Sequence, residues 1–264
     1  MNKPHRARKR FGQNFLRDAN VIRQIAAAIH PREQQHLVEI GPGQGALTAE
    51  LLASGCQLDV IELDRDLIPI LESAFVGETR LTIHQGDALR FDYNSLYDGQ
   101  QPMRLVGNLP YNISTPLIFH LLEYAPAIDD MHFMLQLEVV NRLAAQPGSK
   151  AWGKLGVMAQ YHCQIDALFE VPPSAFTPAP KVQSAIVRLT PRRQLVRDPE
   201  LESRLRRVVY AAFAQRRKTL RNNLRDLINM QQLEDLGISP GARAETLNLQ
   251  QFVAMSDLIQ EREQ

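Results

Sequence analysis

The sequence is poor in the residues that staple, coordinate or span. It has two cysteines, Cys56 and Cys163, which lie far apart and share no CxxC spacing. That excludes a disulfide framework and fits reduced thiols in a cytoplasmic protein. Seven histidines form no HxxxH pair, and His162-Cys163 has no partner at ligand spacing, so no metal site is expected. No apolar run approaches the roughly 18 residues of a membrane span. The opening MNKPHRARKR is basic but leads into no apolar stretch, so it does not read as a secretory signal. What is present is a soluble composition, 44% hydrophobic and 22% charged. Its 264 residues are enough for one large domain, alone or with a small second one.

The net charge of +1 hides a strong segregation. Residues 1–17 carry six basic side chains and no acid, and residues 191–225 carry eleven basic side chains against three acids. The remaining 212 residues therefore bear thirteen more acids than bases. Two basic segments on an acidic body form an anion-binding footprint, for which nucleic acid is the commonest partner; solvated helix faces are the plainer alternative. Residues 1–17, with the cations Arg6–Arg10, precede any core-forming pattern and are expected to form an arm that is mobile on its own and ordered on RNA.

From Leu37 to about Leu189, short apolar runs alternate with helical patterns. HLVEI (36–40), QLDVIEL (57–63), LTIHQ (81–85), RLVGN (104–108) and HFMLQ (132–136) read as strands. The alternation predicts βαβ units, an α/β fold and a mostly parallel sheet. ALFEV and SAIVRL, on either side of a proline-rich stretch, read as a closing pair of strands. Asp18 is placed to cap a helix whose core positions are Val21, Ile22, Ile25 and Ile29, and Ser114-Thr115-Pro116 to cap another. Near Thr190-Pro191 the strand signals cease, which sets a boundary at residue 192. Residues 193–264 then form a small α-helical domain.

Three strand ends carry chemistry. After the first strand, Glu39-Ile40-Gly41-Pro42-Gly43-Gln44-Gly45 places glycines where backbone must approach a ligand without Cβ collisions. A dinucleotide fingerprint needs its third glycine one residue later and carries no proline here, so the loop points to a cofactor lacking a pyrophosphate. A left-handed turn with no ligand is the alternative. Glu62 ends the second strand, where a carboxylate can take both ribose hydroxyls, and Asp87 ends the third in Gln85-Gly86-Asp87-Ala88, where it can accept from an adenine amine. Alone, each acid reads as a loop cap; together they line one crevice at the carboxyl edge of a parallel sheet.

The fourth strand ends in Asn108-Leu109-Pro110-Tyr111. An adenine amine is a poor nucleophile because its lone pair is delocalised into the ring. The Asn108 side-chain oxygen and the Leu109 carbonyl can accept its two N–H groups and favour a tetrahedral nitrogen. Pro110 would fix the turn and Tyr111 would stack on an extruded base. The nitrogen is then placed to attack a sulfonium methyl in line, through positioning and hydrogen bonding. A turn with an Asn cap and a buried Tyr is the bland alternative.

NLPYNIS resembles motif IV of the adenine amine methyltransferases, and FGQNFL (11–16), EIGPGQGALT (39–48), VIELDRDL (60–67) and QGDAL (85–89) resemble that group's other blocks in order. FTPAPKVQSAIVRL (176–189) and AFAQRRKTLRNNL (212–224) are similar to blocks of the KsgA-type small-subunit rRNA dimethyladenosine transferases. The resemblance implies a Rossmann-like class I methyltransferase fold using S-adenosyl-L-methionine. It implies two methyl groups on each of two adjacent adenines in the 3′-terminal hairpin of 16S rRNA, within small ribosomal subunit biogenesis. It places Asn14, Leu16, Gly41, Gly43, Gly45, Glu62, Asp87, Ala88 and Asn108 at the cofactor, and Phe176 facing Tyr111 across the base. Ala214 stands where that family usually has asparagine, which bears only on local packing. Arg217, Arg221 and Arg225, with Arg216 and Lys218 beside them, are expected on one helix face as an RNA ridge, with Leu220, Leu224 and Leu227 opposite. No apolar helix face is left over, so a monomer is expected. The rivals are an Erm-type large-subunit methyltransferase, which shares the loop and the turn, and a binding factor that has lost catalysis.

Overall fold

A computed structural model describes residues 13–193 and 198–259. The chain divides into two compact units. One comprises the described residues up to Val140 together with Asp166–Pro191; the other comprises Asn141–Ile165 and the described residues from Arg192 onward. Most of the basic arm and Arg197 lie outside the described residues.

In chain order the elements are β1 (Phe15–Leu16), α1 (Ala19–Ile29), β2 (His36–Ile40), α2 (Ala46–Leu52), β3 (Gln57–Glu62), α3 (Ile68–Ala74), β4 (Leu81–Gln85), β5 (Met103–Asn108), α4 (Ser114–Leu122), β6 (Ile128–Gln136) and α5 (Leu137–Leu143). They continue with α6 (Lys154–His162), β7 (Cys163–Val171), β8 (Phe176–Thr177), β9 (Ser184–Pro191), α7 (Pro199–Ala212), α8 (Leu220–Asn223), α9 (Met230–Asp235) and α10 (Leu249–Asp257). A seven-stranded sheet runs β4-β3-β2-β5-β6-β9-β7, with β2, β3, β4, β5 and β6 parallel and β9 antiparallel to β6. The central strands β2 and β5 are buried almost end to end, as expected where helices cover both faces. The order reverses at β2, whose neighbours are β3 on one side and β5 on the other. That switch point opens a crevice at the strands' carboxyl ends.

Gly107 sets how closely β5 approaches β2. A Cβ there would stand 2.5 Å from the Ile40 carbonyl oxygen, a distance no real Cβ tolerates. At the opposite end of the same pair, Arg104 is 8% exposed and ties β5 to its surroundings. Its guanidinium donates to both carboxylate oxygens of Asp130, each at 2.9 Å, and to the Ile29 carbonyl at 2.7 Å. Burial alone would raise the Asp130 carboxyl. The His132 imidazole 3.5 Å away and the guanidinium outweigh it and bring the carboxyl down to about 2.

Asp18 caps α1 as expected, accepting from the Asn20 amide at 2.8 Å and the Val21 amide at 3.3 Å. Ser114 does not cap α4: it lies inside the helix, and its hydroxyl donates to the Tyr111 carbonyl at 3.2 Å. Residues 13–17 belong to the folded body rather than to a loose arm, because Phe15 and Leu16 pair with Thr177 and Phe176 across β1 and β8.

The helical unit takes in residues 141–165 as well as the described residues from Arg192 onward, whereas the sequence reading assigns it 193–264 alone. That segment packs on itself: the Gln160 side chain donates to the Leu143 and Ala145 carbonyls, each at 2.8 Å. In the same unit, α7 packs on α10 and the Phe213 and Phe252 rings stack at 5.6 Å. The long helix expected through 217–225 is absent. Only Leu220–Asn223 is helical, with Arg216 and Arg217 in the turn before it and Arg225 in the turn after. The reason is a competing partner: the Leu220 and Arg221 amides donate to the Ala242 and Pro240 carbonyls rather than back along one helix.

Arg104→Met should strip Asp130 of its guanidinium and the Ile29 carbonyl of its donor in the interior, lowering unfolding free energy by ~3–5 kcal/mol at neutral pH. The loss should shrink as pH falls through the Asp130 range, because a depressed carboxylate contributes stability only above it. Urea melts at pH 7 and pH 2.5 check both; equal losses at the two pH values would refute the pairing.

Candidate functional site

β2 delivers the chain into the glycine loop, where Gly41 and Gly45 take φ of +69° and +81°. Their roles differ. A Cβ on Gly45 would stand 2.7 Å from the Phe75 ring, so that position is kept small by packing. A Cβ on Gly41 would find nothing nearer than the Asn108 carbonyl oxygen at 3.9 Å, so it would project into open space at the crevice. This is a cradle for a ligand. A cavity of about 350 Å³ lies there, within the usual range of small-molecule sites.

The cavity brings together nearly all the residues expected at a cofactor: Asn14, Leu16, Gly41, Gly43, Glu62, Asp87, Ala88 and Asn108 line it, with Leu109, Pro110 and Tyr111. Gly45 is not among them. Glu62, 6% exposed, accepts from the Gly43 amide at 3.2 Å through one oxygen and from the Asp64 amide at 2.8 Å through the other. Burial raises its carboxyl, while those two N–H groups draw it back towards the charged form. Its remaining lone pairs suit hydroxyl donors. Asp87 accepts from the Leu89 amide at 3.0 Å, which holds the carboxylate at the end of β4.

Asn108 ends β5, and its amide nitrogen donates to the Asn14 carbonyl at 3.0 Å. A carbonyl oxygen only accepts, so this contact fixes which end of the amide is the NH₂ and turns Oδ1 the other way. The Leu109 amide donates to the Met134 carbonyl at 3.2 Å, anchoring the turn to β6. The Ile113 amide donates to the Pro110 carbonyl at 3.1 Å.

The structure does not bring Phe176 to this cavity. Pairing opposite Leu16 turns its ring inward, 4% exposed, into the cluster that holds Ile22, Ile25 and Ala175. Arg216, Arg217, Lys218, Arg221 and Arg225 are all exposed in the helical unit, spread over two turns and a short helix. There the Arg216 side chain donates to the Lys150 carbonyl at 2.6 Å and lies 3.6 Å from Glu245.

Several cavity residues carry no motif signal. The Gln13 amide donates to Asp64 at 2.9 Å and the Arg17 guanidinium to the Gln44 side chain at 2.6 Å, so residues 13–17 form a strap across the loop. Gln13 and Arg17 stand in or beside FGQNFL, and only the block as a whole marks them. Glu39, 2% exposed, accepts from the Thr48 hydroxyl at 2.6 Å; its spacing from Thr48 within EIGPGQGALT is the one legible sign. His132, Met134 and Ile186 line the inner wall and read from sequence only as strand residues. Among the described residues, no group of three or more His, Cys, Asp or Glu side chains is placed to hold a metal ion.

The family model for ribosomal RNA adenine dimethylase matches residues 4–261. The chain belongs to the ribosomal RNA adenine dimethylase family. Among curated proteins, ribosomal RNA small subunit methyltransferase A of Pseudomonas aeruginosa is 60% identical over 260 residues, covering 97% of this chain and 96% of that protein. The protein of the same name from Hahella chejuensis is 55% identical over 97% of this chain and 93% of its own length. Among solved structures, the 23S rRNA methyltransferase ErmE superposes with a TM-score of 0.74 at 27% identity, covering 93% of this chain and 99% of that one. A dimethyladenosine transferase from Plasmodium falciparum gives 0.78 at 24% identity, over 91% and 95%, and shares the fold. The chain is thus an rRNA adenine dimethyltransferase with a class I methyltransferase fold. Methyl transfer in this family implies S-adenosylmethionine, and the Gly41 cradle, Glu62 and Asp87 have the space and the acceptors to fit it.

Burial pushes the Glu39 carboxyl up to about 7, against the pull of the Thr48 hydroxyl. Between pH 4.5 and 7 the folded protein therefore keeps a proton that the unfolded chain has released, and stability falls as pH rises through that window. Glu39→Gln should remove this slope, gaining about 2–3 kcal/mol at pH 8 and almost nothing at pH 4.5. Thermal melts across that range check it; a gain independent of pH would show that burial is not what the carboxyl pays for.

Proposed function

We propose that this enzyme transfers methyl groups from S-adenosylmethionine to the N6 amines of two adjacent adenines in the 3′-terminal hairpin of 16S rRNA, acting as a cytoplasmic monomer on the assembling small ribosomal subunit. The observation that carries the chemistry is the Asn108 amide, held by the Asn14 carbonyl so that Oδ1 is left to accept. The small-subunit substrate is supported by relatives of that name at 60% identity, against 27% for the large-subunit enzyme ErmE.

Bound S-adenosylmethionine supplies an electrophilic methyl group on a sulfonium. Glu62 accepts from the ribose hydroxyls and Asp87 from the cofactor's adenine amine, while Gly41 leaves room for the backbone to approach. Asn14, Leu16, Gly43 and Ala88 complete the wall, and Gly45 serves by packing the loop on α3. At the turn, Asn108 Oδ1 and the Leu109 carbonyl accept the two N–H groups of the target amine and orient its lone pair. Pro110 fixes their convergence and Tyr111 stacks on the base. Positioning and hydrogen bonding of this kind lower a barrier without a dedicated general base. A role for Phe176 against the base would require its ring to leave the core cluster, so stacking is given to Tyr111 alone.

The exposed cations Arg216, Arg217, Lys218, Arg221 and Arg225 contact RNA phosphates as a patch built from two turns rather than as a helical ridge. Such contacts position an RNA, whereas unstacked bases and shape supply specificity.

Incubating the protein with radiolabelled S-adenosylmethionine and small subunits from an unmodified strain should place label in dimethyladenosine of 16S rRNA. Label confined to large-subunit RNA would sink the substrate assignment. Asn108→Ala should abolish transfer with RNA affinity within a few-fold of wild type, and normal turnover would discredit the mechanism. Changing Arg217 and Arg221 together to Glu should weaken RNA binding and flatten its salt dependence. An unchanged slope would move the phosphate contacts elsewhere.

A further inference from the structure

The backbone bonds around the tetrapeptide hold the Tyr111 main chain in place: Leu109 to Met134, Ile113 to Pro110, and Ser114 to the Tyr111 carbonyl. None of them fixes the side chain, whose two torsions remain. The far end of the ring is held separately. The Tyr111 hydroxyl lies 2.8 Å from the hydroxyl of Ser184, either of which can donate. Ser184 is the first residue of β9, has no exposed surface, and pairs with Gln136 at the end of β6. Its main chain is therefore fixed by the sheet. The neighbouring Gln183 is fixed as well, since its carbonyl accepts from the Leu137 amide at 2.9 Å.

We infer that Ser184 is a positioning residue for methyl transfer: by holding the Tyr111 hydroxyl it fixes the direction in which the ring points, and so the place of the ring on which the target adenine stacks. This rests on the reading that Tyr111 stacks on the base. A ring with its Cα fixed by a turn and its hydroxyl fixed by a sheet cannot swing to another χ1 rotamer and keeps only rotation about its own axis, so its place is set before the base arrives. The same bond explains a tyrosine here rather than a phenylalanine. Stacking needs only the ring face, and the hydroxyl, which lies in the plane of the ring, is taken up by Ser184. A serine that merely satisfied a buried phenol would affect folding and leave turnover alone, so the two roles separate experimentally.

The test compares Ser184→Ala, Tyr111→Phe, the double variant and Tyr111→Ala, using small subunits from an unmodified strain, with melting temperature and calorimetric S-adenosylmethionine affinity measured on each protein. Loss of one neutral hydrogen bond corresponds to about a three- to tenfold fall in rate. Ser184→Ala and Tyr111→Phe should each lower kcat by that factor, with cofactor affinity unchanged. The double variant should be no slower than either single one, since both remove the same bond. Additive losses, or losses that track melting temperature, overturn the inference. Wild-type kcat in Tyr111→Phe and Ser184→Ala alongside a large loss in Tyr111→Ala overturns it while leaving the stacking reading standing. Wild-type kcat in Tyr111→Ala overturns both. Should Ser184→Ala fail to fold, Tyr111→Phe decides alone: a three- to tenfold fall upholds the inference and an unchanged kcat refutes it.

Discussion

In the pairing of β2 with β5, Gly107 sits opposite Ile40, so near that any side chain would collide with the Ile40 carbonyl. The next residues along those two strands are Gly41 and Asn108. The loop that cradles a cofactor and the turn that grips an amine are therefore neighbours by register rather than by chance meeting of loops. A slip of one residue in this pair would turn every side chain of the strand to the opposite face and part the two. The approach allowed by Gly107 is what brings a methyl donor and an amine acceptor within one crevice, and the parallel order on either side of β2 places Glu62 and Asp87 along the same edge.

Around that edge the polar groups are held by backbone more than by one another. Glu62 takes two main-chain N–H groups, Asp87 takes one, and the Asn108 amide takes the Asn14 carbonyl. Main-chain partners are positioned by the sheet and the loops, so these side chains are oriented before any ligand arrives. Glu39 is the exception in kind. Buried beside Glu62 and bonded to a hydroxyl, its carboxyl is pushed up to about 7, whereas on Glu62 two N–H donors oppose the rise that burial causes.

What could be read in advance followed from how local each signal is. The parallel strands were legible because two-sided burial writes continuous apolar runs such as HLVEI and RLVGN. The glycine loop was legible because positive φ demands glycine, and NLPY because its residue types answer one chemical need. Most of the failures have a partner distant in sequence; Ser114, three residues from Tyr111, is the local one. Leu220 and Arg221 give their amides to residues 240–242, which keeps Arg216 and Arg217 out of the helix that periodicity alone would run from there to Arg225. Phe176 turns inward because β8 pairs with β1, some 160 residues earlier in the chain. Ser114 is drawn to the Tyr111 carbonyl instead of capping its own helix. Residues 141–165 lie between two strands of the sheet, so their membership of the helical unit depends on packing that a linear reading does not contain.

The two charge populations in the sequence meet opposite demands. A sulfonium donor carries positive charge and favours carboxylates near it, whereas an RNA hairpin is a polyanion and favours cations. Mixed on one surface, these groups would weaken each other. The chain separates them by place: Glu62, 6% exposed, and the half-buried Asp87 line the cavity, while Arg216, Arg217, Lys218, Arg221 and Arg225 stand in solvent. Carboxylates sunk into a cavity and partly neutralised by N–H donors act at short range on what enters it. Exposed guanidinium groups act through solvent over about a Debye length, ~8–10 Å at physiological salt, on what approaches from outside. The near-zero net charge hides the basic segments, because acids elsewhere along the chain balance them. For that reason composition alone gives no hint of a nucleic-acid enzyme, while the order of charges along the chain does.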